Sequence, residues 1–315
     1  LHRFVLKVLR DAGNVSSTQM LVLGDSRQSI YQFRDADPRF LTMADRGVYA
    51  LAETTLQRSG SASSASFASV PKWRHHTLRT SFRASPRIAS FVNDAMLGFE
   101  CIRASKRAHL PDGGAGAPVT YMVGNAFEIA SQEIADEIEH LLSPRGGGYA
   151  PDDIFVLTPS LKGAKLNSKT PLAQLENTLV MRCGVPVYVS LADEEELSDA
   201  LTRGKICFTT FHSSKGLERP VVIVFGFSGD YFTYFARDAP KAVCPNTLYV
   251  AATRASERLY VVGEQEEGGK LPFLRLDPAA FEKWGVPLPP WLEVRKCGKL
   301  RPPADAIPVP ASSFA

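Results

Sequence analysis

The sequence predicts an α/β fold: a mostly parallel sheet covered by helices on both faces. Two observations predict it. From residue 119 onward, apolar runs of strand length alternate with amphipathic helical patterns. Several of those runs, such as "VVIVFGF", are apolar throughout, as strands buried on both faces are.

Each element follows in chain order. "LHRFVLKVLRDA" (1–12) places Leu1, Val5, Val8 and Leu9 on one helical face, and Gly13 and Asn14 stop it. Residues 20–23 read as a buried strand. "RSGSASSASFAS" (58–69) is a Ser/Ala-rich loop or linker. A helix is expected over 86–97, with Pro86 in its first turn. "PDGGAGAP" (111–118) is a strong break and marks a domain boundary. "VTYMV" (119–123) is a strand, 126–143 an amphipathic helix with Ile129, Ile134, Ile138 and Leu141 inward, and "IFVLTP" (154–159) a strand. "LAQLENTLVMRC" (172–183) is a helix, and "VPVYVS", "KICFTTFH" and "VVIVFGF" are three strands. "NTLYVAATRA" (246–255) is helical, and "RLYVV" closes as a strand. The stretch after Pro272 is rich in proline and basic residues, with Trp284 and Trp291, and shows no chemistry. Ligands of such sheets bind beyond the carboxyl ends of the strands, so polar clusters there carry most weight.

Composition narrows the function. A net charge of +3 does not by itself call for nucleic acid, so any such site is a local patch. The five scattered cysteines lack zinc-ligand spacing, and their odd number argues against a disulfide framework. A reducing, intracellular compartment, cytoplasm or nucleus, is expected. No apolar run reaches the roughly 18 residues that span a membrane, and no secretory signal is present. The chain begins with Leu1, so a fragment or a processed product is expected.

Four polar clusters sit at strand ends or helix starts: "GDSRQSIYQFR" (24–34), "LRTSFRASPRI" (78–88), "TTFHSSKGLE" (209–218) and "LYVAATRASERLYV" (248–261). Taken singly, each has an ordinary reading. Arg83 and Arg254 read as surface arginines, His212 as a satisfied loop histidine, and Tyr31 and Phe33 as core.

Taken together, in order and wording, they resemble the third to sixth motifs of the UvrD/Rep-like superfamily 1A DNA helicases. The resemblance covers roughly residues 1–265. It implies a RecA-like P-loop NTPase-type sheet flanked by helices. Residues 1–110 would be the remnant of a truncated first RecA-like domain with the connection to the fourth motif. Residues 111–275 would be a largely complete second RecA-like domain, and 276–315 a Pro-rich tail of unknown role. The implied activity is ATP-driven movement, 3′ to 5′, on single-stranded DNA or DNA with a single-stranded tail.

The resemblance also implies residue roles. Arg83 and Arg254 would be the γ-phosphate arginines, supplied by a second domain so that hydrolysis couples to closure. Gln28 would sense the γ-phosphate or its attacking water. Phe82, where the family usually has tyrosine, would stack on adenine. Gly216 would bring backbone close to phosphate, and Glu218 would bind ribose. On the DNA side, Tyr31 and Phe33 would stack bases, while Thr158, Thr210 and His212 would touch the DNA backbone. The segment "DSRQ" joined to "YQFR" could then touch nucleotide at one end and bases at the other.

Departures from the family are equally legible. No G-x-x-x-x-G-K-[ST] phosphate loop occurs; "GEQEEGGKL" (263–271) is misregistered and carries three glutamates. The Asp-Glu pair that binds Mg²⁺ is absent, so the ligands of Mg·ATP are expected upstream of Leu1. "AVCPNTLYVA" replaces the charged run the family carries before its sixth motif. Two other readings stay open: a helicase relic that binds DNA or a protein without hydrolysis, and the motor part of a helicase–nuclease repair enzyme.

Overall fold

The computed structural model describes residues 21–31, 37–42, 74–161, 170–193, 195–264, 271–276 and 287–297. The helix expected over 1–12, the linker 58–69, Phe33 and Trp284 lie outside these residues.

A short parallel pair, β1 (Thr80–Ser81) and β2 (Arg103–Ala104), precedes the main sheet. Among the described residues the main sheet has seven strands: β3 (Val119–Gly124), β4 (Ile154–Thr158), β5 (Val187–Val189), β6 (Ile206–Thr210), β7 (Arg219–Val224), β8 (Ala255–Glu264) and β9 (Leu292–Lys296). Their spatial order is β5-β6-β4-β7-β8-β3-β9, and every pairing is parallel. The expected parallel α/β sheet is therefore present.

Side-chain alternation along the strands divides the core in two. Phe155, Leu157, Val222, Val224, Leu259 and Val261 face one side. Ile154, Val156, Val221, Ile223, Tyr260 and Val262 face the other. The first side is covered by the helical stretches Pro86–Ser90, Phe91–Leu97 and Asn246–Ala252. The second is covered by Ile129–Ile134 and Ala135–Leu142 together with Pro171–Met181. Fully burying one such isoleucine or leucine contributes about 1.5–3 kcal/mol, so both helical layers are firmly held.

Local signals explain where helices start and stop. Ser85 Oγ accepts from the Ile88 amide at 3.3 Å, just ahead of Pro86. That helical run ends at Gly98, whose φ of 76° is left-handed. Asn125 Oδ1 accepts from the Phe127 amide at 2.9 Å, and Thr170 Oγ1 from the Ala173 amide at 3.3 Å, each opening its helix.

Several expectations are corrected. Residues 21–23 form no strand; Leu21 and Leu23 are 79% and 77% exposed, and no described strand runs beside them to complete a ladder. The helix expected over 246–255 stops at Ala252, because the Arg219 amide takes the Arg254 carbonyl at 3.2 Å and draws Ala255 into β8. Leu292–Lys296, read as tail, is the edge strand of the sheet, paired residue by residue with β3. Across the break at 111–118, residues of Pro86–Ser90 and Phe91–Leu97 share one core with β3. Among the described residues, no helix is long and apolar enough to cross a membrane.

Candidate functional site

The segment 211–218, between β6 and β7, decides the geometry. It leaves the carboxyl end of β6 and enters the amino end of β7, crossing one face of the sheet. Its two ends therefore serve opposite sides of the molecule. Thr158, Thr210 and His212 lie at the carboxyl ends of the strands, as expected. Gly216, Glu218 and Arg254 lie at the amino ends of β7 and β8. The rule that polar clusters gather at carboxyl ends holds for the first group and fails for the second.

At the amino end, Arg83 and Glu218 approach at 3.5 Å, Nη1 to Oε2. Glu218 remains largely exposed, and Arg83 Nε is buried with no hydrogen-bond partner among the described residues. Arg254 is only 1% exposed. Its Nε donates to the Val250 carbonyl and its Nη1 to the Leu217 carbonyl, both at 3.0 Å, and Nη2 to Thr253 Oγ1 at 3.3 Å. Burial first, and the neighbouring Arg83 charge second, bring the Arg254 guanidinium down to about 10; Tyr249, Glu218 and Asp25 act in the opposite sense. It stays charged at neutral pH. Gly216 has φ of +89°, and a Cβ there would meet nothing within 4 Å, so backbone faces open space. Phe82 is 84% exposed beside Arg83. Nearby, Asp152, Asp199, Arg203, Glu218 and Arg219 line an open cleft of about 490 Å³.

The turn carrying Gln28 is held by the start of the helix Asn246–Ala252, whose far end leads to Arg254. Gln28 Nε2 donates to Asp25 Oδ2 at 2.9 Å. Asn246 Nδ2 donates to the carbonyls of both Ser26 and Ser29 at 3.0 Å. Asn246 opens the short helix that ends just before Arg254. Sequence reasoning passed over this asparagine. Its only signal was the uncharged "CPN" where a charged run was expected.

At the carboxyl end, the Tyr31 hydroxyl donates to the His212 carbonyl at 3.1 Å, and the two rings lie 6.0 Å apart. Lys215 Nζ sits 4.8 Å from the Tyr31 ring centroid. Tyr31 is thus a partly buried latch between two segments. Thr158 and Thr210 are buried. The Thr210 hydroxyl donates to the Asp193 carbonyl and accepts from the Ser213 amide at 3.2 Å. The Asp193 carboxylate accepts from Ser160 Oγ and the Leu161 amide, each at 2.8 Å. Thr210 therefore shapes the turn and does not reach the surface. Asp193, which no motif marked, ties the ends of β4, β5 and β6 together.

Residues 205–262 match the UvrD-like helicase C-terminal domain. That UvrD-like segment contains "TTFHSSKGLE" from Thr209 and "LYVAATRA" entire, so the resemblance of those two motifs is met by an independent comparison. Among solved structures, the chain is similar to the C-terminal domain of a possible DNA helicase from Lactobacillus plantarum WCFS1. Identity is 20%, the match covers 68% of this chain and 98% of the other, and the TM-score is 0.40. No curated protein matches the chain.

Protonation of His212 gives a test of this packing. Burial first lowers its pKa, while a hydrogen bond with the Ile30 backbone and the Asp193 charge oppose the shift. The unfolded chain, with an ordinary value of about 6.5, takes the proton before the folded one does. Stability is therefore expected to fall as pH drops below about 6.5, until the folded-state value is passed. Thermal melts between pH 8 and pH 5 should show a slope that His212→Gln reduces; an unchanged slope would place His212 in solvent.

Proposed function

We propose that this chain is the carboxyl-terminal motor portion of an ATP-dependent DNA helicase or translocase that moves 3′ to 5′ on single-stranded DNA. The observation that supports it best is the amino-end cluster. Arg83, Glu218 and Arg254 gather beside the turn that holds Gln28, although Asp25, Arg83, Glu218 and Arg254 come from four separate parts of the chain.

Arg83 Nε is a buried donor without a partner among the described residues, and the Glu218 ion pair is long at 3.5 Å. A phosphate oxygen would satisfy that donor. In this reading Arg83 and Arg254 stabilise charge on the γ-phosphate, Gln28 orients its surroundings, Glu218 holds ribose and Phe82 stacks on adenine. Among the described residues no three His, Cys, Asp or Glu side chains converge as a metal site. In this reading the part of these residues is electrostatic. Coupling to DNA runs through Asp25–Tyr31: Asp25 acts on Arg254 at one end, and Tyr31 grips the His212 turn at the other.

Two measurements test this. Purified chain should bind a fluorescent single-stranded oligonucleotide more tightly than the matching duplex. The same sample should release no phosphate from ATP beyond background, because no phosphate loop is present in its sequence. Equal affinity for duplex, or DNA-stimulated turnover by the chain alone, would reject the reading. If the complete protein bound DNA but hydrolysed no ATP, the non-hydrolysing binding module would replace it.

A further inference from the structure

Tyr234 and Phe235 are 63% and 51% exposed. They lie in the connection that leaves the carboxyl end of β7 and leads to Asn246–Ala252. Exposed aromatic rings are ordinary when they hang free, but Phe235 does not. Its ring stacks on Tyr231, with centroids 5.7 Å apart and planes inclined by 27°. Tyr231 is buried, its hydroxyl is hydrogen-bonded to Thr247, and its ring meets Phe211 at 6.2 Å. Phe211 immediately precedes His212. Two ring contacts therefore connect the exposed face of Phe235 to the turn that the reading above assigns to the DNA side.

We propose that Phe235, backed by Tyr231, is a base-stacking platform for single-stranded DNA that extends the strand's path beyond the His212 turn, with Tyr234 as its neighbour. This rests on the single-strand binding reading above. One ring face is covered and immobilised, and the other is open, so little side-chain freedom remains to be lost on binding. The backbone is fixed as well: the amides of Phe235 and Ala236 both donate to the Tyr231 carbonyl, at 2.9 and 3.0 Å. Arg237 Nε donates to the Thr233 carbonyl at 2.8 Å. Asp230 and Asp238 offset Arg237 and Lys241 in formal charge, so this patch exerts little electrostatic pull. An occupant must gain from the ring face itself. Nucleobases do so whatever their identity, because every base has a π-face.

The test is an anisotropy titration of the whole chain with oligothymidine and with a mixed-sequence oligonucleotide, at two salt concentrations. Phe235→Ala and Tyr234→Ala are compared with wild type. Phe235→Leu keeps apolar packing on Tyr231 but removes the flat face, and Phe235→Trp keeps the face. Phe235→Ala and Phe235→Leu should weaken both oligonucleotides roughly 5- to 100-fold. The ratio should barely change with salt, since stacking releases no counterions. Phe235→Trp should bind like wild type, and the Leu variant should melt with it. Wild-type affinity in Phe235→Leu, while the parent chain binds DNA, would overturn the platform and leave the single-strand reading intact. Failure of the parent chain to bind any single strand would overturn both. Loss of self-association in sedimentation, with DNA affinity unchanged, would assign the surface to a second copy instead.

Discussion

Replacing Arg254 with alanine is expected to cost this chain about 3–5 kcal/mol of folding stability. If the chain belongs to an ATP-driven motor as proposed, the same change in the complete protein should also lower kcat on the order of 10³-fold or more. The two effects have one origin. The guanidinium is enclosed, and its donors occupy the carbonyls of Val250 and Leu217 and the Thr253 hydroxyl. Alanine leaves a cavity and buried acceptors without partners, and each stranded polar group costs about 1–3 kcal/mol. It also releases Leu217, the residue immediately before Glu218. Denaturant melts of the chain read the first effect. Steady-state kinetics of the complete protein read the second, with Arg254→Lys as the discriminating variant. Lysine keeps the charge and can satisfy one carbonyl, so part of the stability should return. It cannot serve two acceptors in a fork, so kcat should stay well below wild type. An unchanged kcat with only a raised KM would remove Arg254 from the γ-phosphate and leave it a structural arginine.

The contrast between Arg254 and its surroundings shows what the sequence can carry. Runs such as 154–159 and 119–123 announced buried strands because burial on both faces demands unbroken apolar residues. The helix over 126–143 announced itself through the periodicity of Ile129, Ile134, Ile138 and Leu141. Those signals are local. The burial of Arg254 is not: it depends on the carbonyl of Leu217, 37 residues away, arriving at the same point. Thr210 likewise reads as an available hydroxyl until the Asp193 carbonyl claims it. The "LEVRK" of β9 reads as surface because Glu293, Arg295 and Lys296 interrupt it. Charges of this kind are what an edge strand carries to discourage further pairing, and its partner β3 is distant in the chain. The motif residues fared better in composition than in placement. Their wording located two faces of one segment, but only the parallel crossover from β6 to β7 shows that those faces are at opposite ends of the sheet.

Glu137→Gln is expected to destabilise the chain by about 2–3 kcal/mol at pH 7, with no change in single-strand affinity. Glu137 lies in the helix Ala135–Leu142 and reaches across to β8 and β9. Its Oε1 accepts from the Tyr260 hydroxyl at 2.7 Å, and its Oε2 from Arg295 Nη1 at 2.5 Å. Arg295 also pairs with Glu293 at 2.8 Å. Burial raises the Glu137 carboxyl, but the hydrogen bonds from Arg295 and Tyr260 and the Arg295 charge outweigh it, and the pKa ends below the ordinary carboxylate value. A depressed folded-state pKa means that the stabilisation is present above the unfolded value, about 4.3. It is lost as pH falls through the folded one. Wild type and Glu137→Gln should therefore differ in denaturant midpoint at pH 7, and the difference should be smaller at pH 3, below the unfolded value. The amide preserves shape and can still accept from Tyr260, so the difference isolates the charge on Arg295. An equal deficit at both pH values would mean that the carboxylate charge is not what fastens β9 to the sheet. The remaining explanation would be lost shape complementarity against Arg295, which Glu137→Leu should then reproduce at every pH.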